Sequence, residues 1–312
     1  MNLVIMGMLS SGKTSIRKVV FQKISAHETR FNESTTKIET NEVKKLGICK
    51  LNVTELPHNI MEKDKNSAIE IIKKCSTLIY VINISDTKNS PFDYFNQNII
   101  PNLPTNSPML LSIFIHQIDS IKLLQSEFHK KHCDIKTKFN NILKDYKNIE
   151  VKYYITSIYD YSLFETFSKI IQNTIPKQQS ESILNLITNF SECCKFDKCY
   201  LFDIFYKICI ADDFSPLEEQ IYELCSDIID VNFDLTNIYN ENENEYFFDN
   251  KSSCIYNYED GIDGSKNIFY LRFIDSNFVL IALVNDLNFN KPNLLEYNIN
   301  IFIKKFKAIL NK

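Results

Sequence analysis

Through the first 175 residues, short apolar runs alternate with longer stretches whose apolar positions recur every three or four residues. Leu3–Met6, Ile48–Val53, Leu78–Ile84, Met109–Ile115 and Val151–Ile155 are mostly apolar runs that read as strands. Strands covered on both faces read this way. Segments near 14–24, 65–75, 120–146 and 162–173 carry the helical period. Such alternation predicts an α/β domain with a mostly parallel sheet and helices on both faces.

The order then changes. Ile175-Pro176-Lys177-Gln178-Gln179-Ser180 is a polar break containing a proline, and it predicts a boundary between domains spanning 1–176 and 181–312. Beyond it the pattern predicts a helix near 181–190 and paired strands over Tyr200–Phe205 and Tyr206–Ala211. Ser215-Pro216 is a helix start, with Ser as cap and Pro as first residue, and that helix is expected to run to about Val231. Asn240–Glu245 reads as a polar, acidic loop. Asn267–Phe273 and Phe278–Val284 flank the turn residues Ile274-Asp275-Ser276-Asn277, a hairpin signal, and a last helix covers roughly 292–311. No Gly-rich loop or convergent set of carboxylates lies in this half. An α/β layer that pairs with another chain is its economical reading.

The chemistry concentrates at Gly7-Met8-Leu9-Ser10-Ser11-Gly12-Lys13-Thr14, which fits G-x-x-x-x-G-K-[ST] between an apolar strand and a helix. In this motif backbone N–H groups wrap phosphates and the helix N-terminus adds its positive dipole end. Lys13 is expected to reach the β/γ-phosphates and the Thr14 hydroxyl to ligate Mg²⁺. The chain holds five glycines, and two of them fall on the two required positions, which argues against an accidental turn.

Composition narrows the setting. A net charge of −4 without a long basic stripe gives no pull toward nucleic acid. No apolar run approaches the ~20 residues of a membrane span. No leader pattern precedes the first strand, residue 2 is not Gly, and the last residues hold no Cys for prenylation. These features predict a cytoplasmic protein that reaches membranes only through a partner. The nine cysteines show no framework; Cys193, Cys194 and Cys199 lack metal-ligand spacing, so reduced thiols are expected. His129, His132 and Cys133 sit in a Lys-rich stretch that reads as a solvated helix.

Further signals follow the P-loop in order. Phe31-Asn32-Glu33-Ser34-Thr35-Thr36 places a Thr where it can ligate Mg²⁺ and sense a γ-phosphate. The strand ending at Ile115 runs into His116-Gln117-Ile118-Asp119. A carboxylate at Asp119 would accept from guanine N1 and N2, a pair that adenine lacks; its bland alternative is a helix cap. Thr156-Ser157-Ile158 follows another strand, and a backbone N–H there would donate to guanine O6.

These residues are similar to the Rag family of GTPases, C/D class. The resemblance runs through Met6–Phe21, Glu28–Thr35, His116–Asp119, Tyr154–Asp160 and Phe164–Lys169, then Leu201-Phe202-Asp203, Tyr222–Cys225 and Asp227–Val231, nearly the whole chain. It implies a Ras-like GTPase domain followed by a roadblock/longin-type dimerisation domain. It also implies a heterodimer with a Rag A/B-like GTPase formed through the C-terminal domain. That pair would relay amino-acid availability to the TOR kinase complex at a lysosomal or vacuolar membrane, held there by a scaffold complex. Carried onto this chain, the nucleotide set is Ser10, Ser11, Gly12, Lys13, Thr14, Ser15, Thr29, Thr35, His116, Gln117, Asp119, Ser157 and Ile158, with GTP or GDP as ligand. The Mg²⁺ set is Thr14 and Thr35, with Glu55 acting through a water.

The chain departs from that pattern at switch II. Glu55-Leu56-Pro57-His58-Asn59 stands where the family has Asp-x-Pro-Gly-Gln. Glu55 is one methylene longer than Asp, His58 replaces a glycine whose N–H meets the γ-phosphate, and Asn59 replaces the Gln that positions water. Gln117 replaces a Lys whose stem lies along the guanine ring. The expectation is a guanine-nucleotide switch that holds GDP at least as usefully as GTP and hydrolyses GTP slowly. The alternatives are a pseudo-GTPase scaffold with a structural nucleotide and, third, a P-loop ATPase or kinase, against which Asp119 argues.

Overall fold

The structure is a computed structural model that describes residues 1–31, 33–43, 46–86, 90–104, 109–118, 125–146, 148–213, 219–239, 253–259, 266–285 and 292–310. The chain divides into two compact units. One is Met1–Lys44 with Lys50–Thr166; the other is Lys45–Cys49 with Phe167–Lys312.

The first unit is built on strands β1 (Asn2–Gly7), β2 (Glu39–Val43), β3 (Leu51–Glu55), β4 (Thr77–Asn83), β5 (Met109–His116) and β6 (Ile149–Thr156). They lie in the order β2-β3-β1-β4-β5-β6, all parallel except β2, which runs antiparallel to β3. Between the strands run α1 (Lys13–Gln22), α2 (Ile60–Lys63), α3 (Lys65–Lys74), α4 (Ser90–Tyr94) and α5 (Gln125–Leu143); α6 (Ser162–Thr174) follows β6 and from Phe167 on belongs to the second unit. Alternate residues of β1, β4 and β5 are buried on both sides of the sheet, as expected of central parallel strands. On one side Val4, Leu78, Tyr80 and Ile113 pack with Phe139 of α5. Tyr80, Phe92 and Phe95 surround the Phe139 ring with centroids 6.1, 5.1 and 5.1 Å away. The strand order reverses beside β1, which opens a crevice at the carboxyl ends of the strands, where ligands bind in sheets of this type.

The second unit carries α7 (Lys177–Cys194), β7 (Lys198–Asp203), β8 (Cys209–Asp212), α8 (Glu219–Tyr239), β9 (Ser253–Glu259), β10 (Lys266–Phe273), β11 (Phe278–Asn285) and α9 (Pro292–Leu310). Its antiparallel sheet has the order β8-β7-β11-β10-β9. Phe190 of α7, Phe302 and Phe306 of α9 and Phe278 of β11 form its aromatic core. The expected hairpin is there, with Asp275 Oδ1 accepting from the N–H groups of Asn277 (2.8 Å) and Phe278 (3.0 Å).

Several expected elements move. The polar break is no linker over its last residues: Lys177–Ser180 form the first turn of α7, and the Ser180 N–H donates to Pro176 O at 2.9 Å. A solvated first helical turn has the composition of a linker, and Pro at its start is a helix signal as much as a breaker. The strand expected over Ile48–Val53 lies at Leu51–Glu55, and the residues before it group with the second unit, where the Gly47 N–H donates to Asp203 Oδ2 at 3.3 Å. The first of the paired strands is shifted to Lys198–Asp203 and the second is shortened to Cys209–Asp212, because 204–208 is their turn. Helix α8 continues past Val231 to Tyr239. Strands β2 and β9 were not expected at all. The Ser215-Pro216 cap, the Asn240–Glu245 loop and Asp119 lie outside the described residues.

Candidate nucleotide site

Strand β1 ends at Gly7 with φ +153°, and a Cβ there would come within 2.4 Å of Val81 O on the neighbouring β4. The loop then turns left-handed at Ser10 (φ 59°) and at Gly12 (φ 95°) before α1 begins at Lys13. Such turns bring successive N–H groups to a concave side, which is what an anion needs. Residues Leu9–Ser15 line a cleft of about 330 Å³. Thr29, Arg30, Glu33, Ser34, Thr35, Glu55, His58, Gln117, Ile158 and Tyr159 complete its wall. Ten of the thirteen expected nucleotide residues are in that lining; His116 and Ser157 are not, and Asp119 lies outside the described residues.

Lys13 is almost wholly buried. Its Nζ donates to Gly7 O (2.9 Å), Met8 O (2.7 Å) and Ser11 Oγ (3.5 Å). Burial lowers its pKa to about 8, and the negative charge of Glu55 opposes that shift. A phosphate would meet an ammonium whose other partners are neutral oxygens.

Beside Lys13 lies a cluster of oxygens. The Thr14 hydroxyl donates to Glu55 Oε1 at 2.5 Å and the Thr35 hydroxyl reaches the same atom at 2.9 Å, while the two hydroxyls are 2.7 Å apart. Glu55 is fully buried at the end of β3, and its Oε2 accepts from Arg17 Nε at 2.7 Å. The expected Mg²⁺ set is therefore gathered in one place. Hard oxygen donors beside a phosphate cradle suit Mg²⁺.

Switch II divides differently from expectation. His58 lines the cleft; burial and the positive charges of Lys13 and Lys63 push its pKa down, so its ring is neutral at pH 7. Asn59, expected where water is positioned, is not in the lining. It precedes α2, its backbone oxygen accepts from the N–H groups of Glu62 and Lys63, and its buried Oδ1 has no hydrogen-bond partner among the described residues. An amide one methylene shorter than Gln, at the start of a helical turn, stays with that turn.

On the far side, His116 is buried at the end of β5, where its Nδ1 meets Thr156 Oγ1 at 2.9 Å. A Cβ on Gly12 would come within 2.4 Å of His116 Cδ2, so the imidazole supports the P-loop from beneath instead of facing ligand. Gln117, at φ 62°, accepts from Asn83 Nδ2 (2.6 Å) and donates to Ser10 O (3.4 Å). The Ser157 N–H donates to Ser162 Oγ at 3.0 Å, which occupies it within its own loop, and Ile158 is the residue of the pair that reaches the cleft. Thr29 Oγ1 donates to Ala26 O at 2.7 Å and holds the short helical turn Glu28–Phe31. Sequence reasoning missed the contact beside it: Arg30 Nε donates to Tyr159 OH at 2.8 Å and the guanidinium lies 5.4 Å from that ring's centre. Arg30 follows Thr29 and Tyr159 follows Ile158, but no local pattern says that residues 129 apart meet. Among the described residues no group of His, Cys, Asp and Glu side chains forms a separate metal centre, all nine cysteines are free, and no helix is long and apolar enough to cross a membrane.

A P-loop at a strand-order reversal, threonines from the start of α1 and from a later loop on one carboxylate, and a two-unit α/β chain define a Ras-like G domain followed by a second α/β domain. The family model for the Gtr1/RagA G protein conserved region matches residues 2–229. The chain is 32% identical to Ras-related GTP-binding protein C of Mus musculus, over 98% of this chain and 76% of that protein. Ras-related GTP-binding protein D of the same species is also 32% identical, over 98% and 68%. GTP-binding protein gtr2 of Schizosaccharomyces pombe is 31% identical over 99% and 98%. The chain belongs to the Rag family of G proteins, in its C/D class, a family of guanine-nucleotide binders.

Proposed function

We propose that this chain is a guanine-nucleotide switch that works in a heterodimer with a Rag A/B-like GTPase. The single observation behind it is the convergence of Lys13, Thr14, Thr35 and Glu55 on one cleft from three separate stretches: the start of α1, the loop holding Thr35 and the end of β3. In this reading the nucleotide domain spans 1–176 and the dimerisation domain 181–312. The cation accompanies the nucleotide in both states, and the γ-phosphate distinguishes them. Lys13 and the P-loop amides hold the phosphates, the Thr14 and Thr35 hydroxyls take the cation, and Asp119 selects guanine. The family resemblance supports the wider role: relay of amino-acid availability to the TOR kinase complex, with attachment to a lysosomal or vacuolar surface through partners.

Hydrolysis is expected to be slow. His58 presents a neutral imidazole to the cleft and Asn59 is held by α2, so no described side chain stands where Gln would orient water. The same observation favours a second reading, a scaffold whose nucleotide is structural. Single-turnover GTP hydrolysis by the purified heterodimer tests the first point; an unaided rate of ~10⁻³ s⁻¹ or faster overturns it. Exchange of GDP for a non-hydrolysable GTP analogue separates switch from scaffold: unchanged protease sensitivity and partner binding favour the scaffold. Release of adenine nucleotide on denaturation, in place of guanine, would sink both.

A further inference from the structure

Arg17 carries a positive charge into the interior of the first unit, with 1% of its side chain exposed. Its three nitrogens are all engaged. Nε donates to Glu55 Oε2 at 2.7 Å, Nη1 donates to Asn41 Oδ1 at 3.0 Å, and Nη2 pairs with Glu39. A guanidinium presents its donors in a rigid fork, so the contacts to Asn41 and Glu39 hold the group in place while Nε anchors one carboxylate oxygen of Glu55. A buried ion pair persists where its remaining atoms are also satisfied. Here the remaining carboxylate oxygen, Oε1, accepts from both Thr14 and Thr35.

The three oxygens Thr14 Oγ1, Thr35 Oγ1 and Glu55 Oε1 are separated by 2.5, 2.7 and 2.9 Å. Adjacent ligand oxygens of an octahedral Mg²⁺ stand about 3.0 Å apart when each is at ~2.1 Å from the ion. The trio is therefore close to one face of that octahedron. An aspartate at 55, one methylene shorter on the same backbone, would leave room for a water between carboxylate and cation. The added methylene carries the carboxylate up to the hydroxyls, and Arg17 keeps it there.

We propose that Arg17 is a positioning residue that makes Glu55 a direct ligand of the divalent cation, in place of the water-mediated contact expected from the sequence. The inference rests on the guanine-nucleotide reading of the same cleft. It assigns to α1, whose first turn serves the phosphates, a second role one turn further on. Thr14 and Arg17 are three residues apart and so lie on one helical face, with Glu55 between them.

The full chain, purified with its partner subunit, is loaded with a fluorescent GDP analogue. Its release is followed against free Mg²⁺ for the native protein, Glu55→Asp, Arg17→Met and the double variant. The number of waters on Mn²⁺ bound with GDP is read by magnetic relaxation. The Mg²⁺ concentration that half-retains nucleotide is expected to rise at least tenfold in each single variant and less than twofold further in the double. Glu55→Asp is expected to gain one cation-bound water. Equal water counts in native and Glu55→Asp proteins overturn the inference, as do additive effects or native Mg²⁺ dependence in Arg17→Met. If Arg17→Met does not fold, the Glu55→Asp water count decides alone. Should the native protein retain no guanine nucleotide at any Mg²⁺ concentration, the reading of the cleft fails and the inference with it, a result distinct from retention with unaltered Mg²⁺ dependence.

Discussion

Gly12 and His116 stand so close that a methyl group on residue 12 would come within 2.4 Å of imidazole Cδ2 and 2.8 Å of Nε2. The ring cannot retreat cheaply, because its Nδ1 is held by Thr156 and it is fully buried. Residue 12 also sits at φ 95°, where a side chain is strained on any background. Gly12→Ala therefore displaces the loop that faces the phosphates, and GDP affinity is expected to fall at least ~100-fold, a loss of about 2.7 kcal/mol. Adding His116→Ala removes the clash but not the strained φ. The double variant is expected to recover part of the loss, and calorimetric titration with GDP measures both. Full recovery would show that the backbone conformation carries no cost.

Lys13 gives the site a pH dependence whose sign follows from its lowered pKa. Its ordinary value is 10.5, and burial brings it to about 8 without ligand. Between those values the unfolded chain binds more protons than the folded one, so this group's contribution to stability rises with pH from about 8 to 10.5. Below pH 8 both forms are protonated and the burial cost is present in full. Phosphates restore the charged form, so above pH 8 nucleotide binding takes up a proton. GDP affinity is expected to fall by at most about tenfold per pH unit there, and a Lys13→Arg variant to lack that slope. Titrations at pH 7, 8 and 9 in buffers of different ionisation enthalpy check the proton uptake directly.

What was legible in the sequence and what was not divides on physical lines. Central strands announce themselves because both faces are covered, so β1, β4 and β5 are continuous apolar runs. The edge strands β2 and β9 do not. Glu39-Thr40-Asn41-Glu42-Val43 buries only Val43 fully, and a strand with one solvated edge needs no apolar pattern. The P-loop was legible because its chemistry is local. The Arg17–Glu55 pair was not: an Arg inside a helix reads as solvated surface until a carboxylate 38 residues away is folded beside it. Asn59 shows the converse. Its place in the switch II motif matches a catalytic position, but the side chain's length and the start of α2 keep it out of the cleft lining.

Phe139 is the central member of the ring cluster formed with Tyr80, Phe92 and Phe95, and it is fully buried. Phe139→Ala removes a ring with neighbours on three sides, and such cavities close only in part. The first unit is expected to lose about 3–5 kcal/mol of stability, measured by urea denaturation. Phe139→Leu, which keeps most of the volume, is expected to lose less than half of that. Nucleotide affinity of the folded fraction should be unchanged in both, because none of the four rings lines the cleft.

The heterodimer proposed above predicts a face on the second unit, and α8 offers one. Val231, Leu235 and Ile238 are 50%, 46% and 73% exposed and lie at i, i+4 and i+7, a single stripe along the helix. Helix α8 lies against β9, since Asn232 Nδ2 donates to Tyr256 OH at 2.8 Å. On β9, Ile255 is 54% exposed, and the strand is one edge of its sheet among the described residues. An apolar helical stripe beside an edge strand suits a partner that presents the same pair of elements. Val231→Glu or Ile255→Arg is therefore expected to weaken pairing with a Rag A/B-like subunit by at least ~30-fold, about 2 kcal/mol. Leu294→Glu, equally exposed but on α9, is expected to leave pairing intact. Light scattering after size exclusion of the co-expressed subunits reads the outcome. Loss of the heterodimer through Leu294 and not through Val231 or Ile255 would move the interface from α8 and β9 to α9.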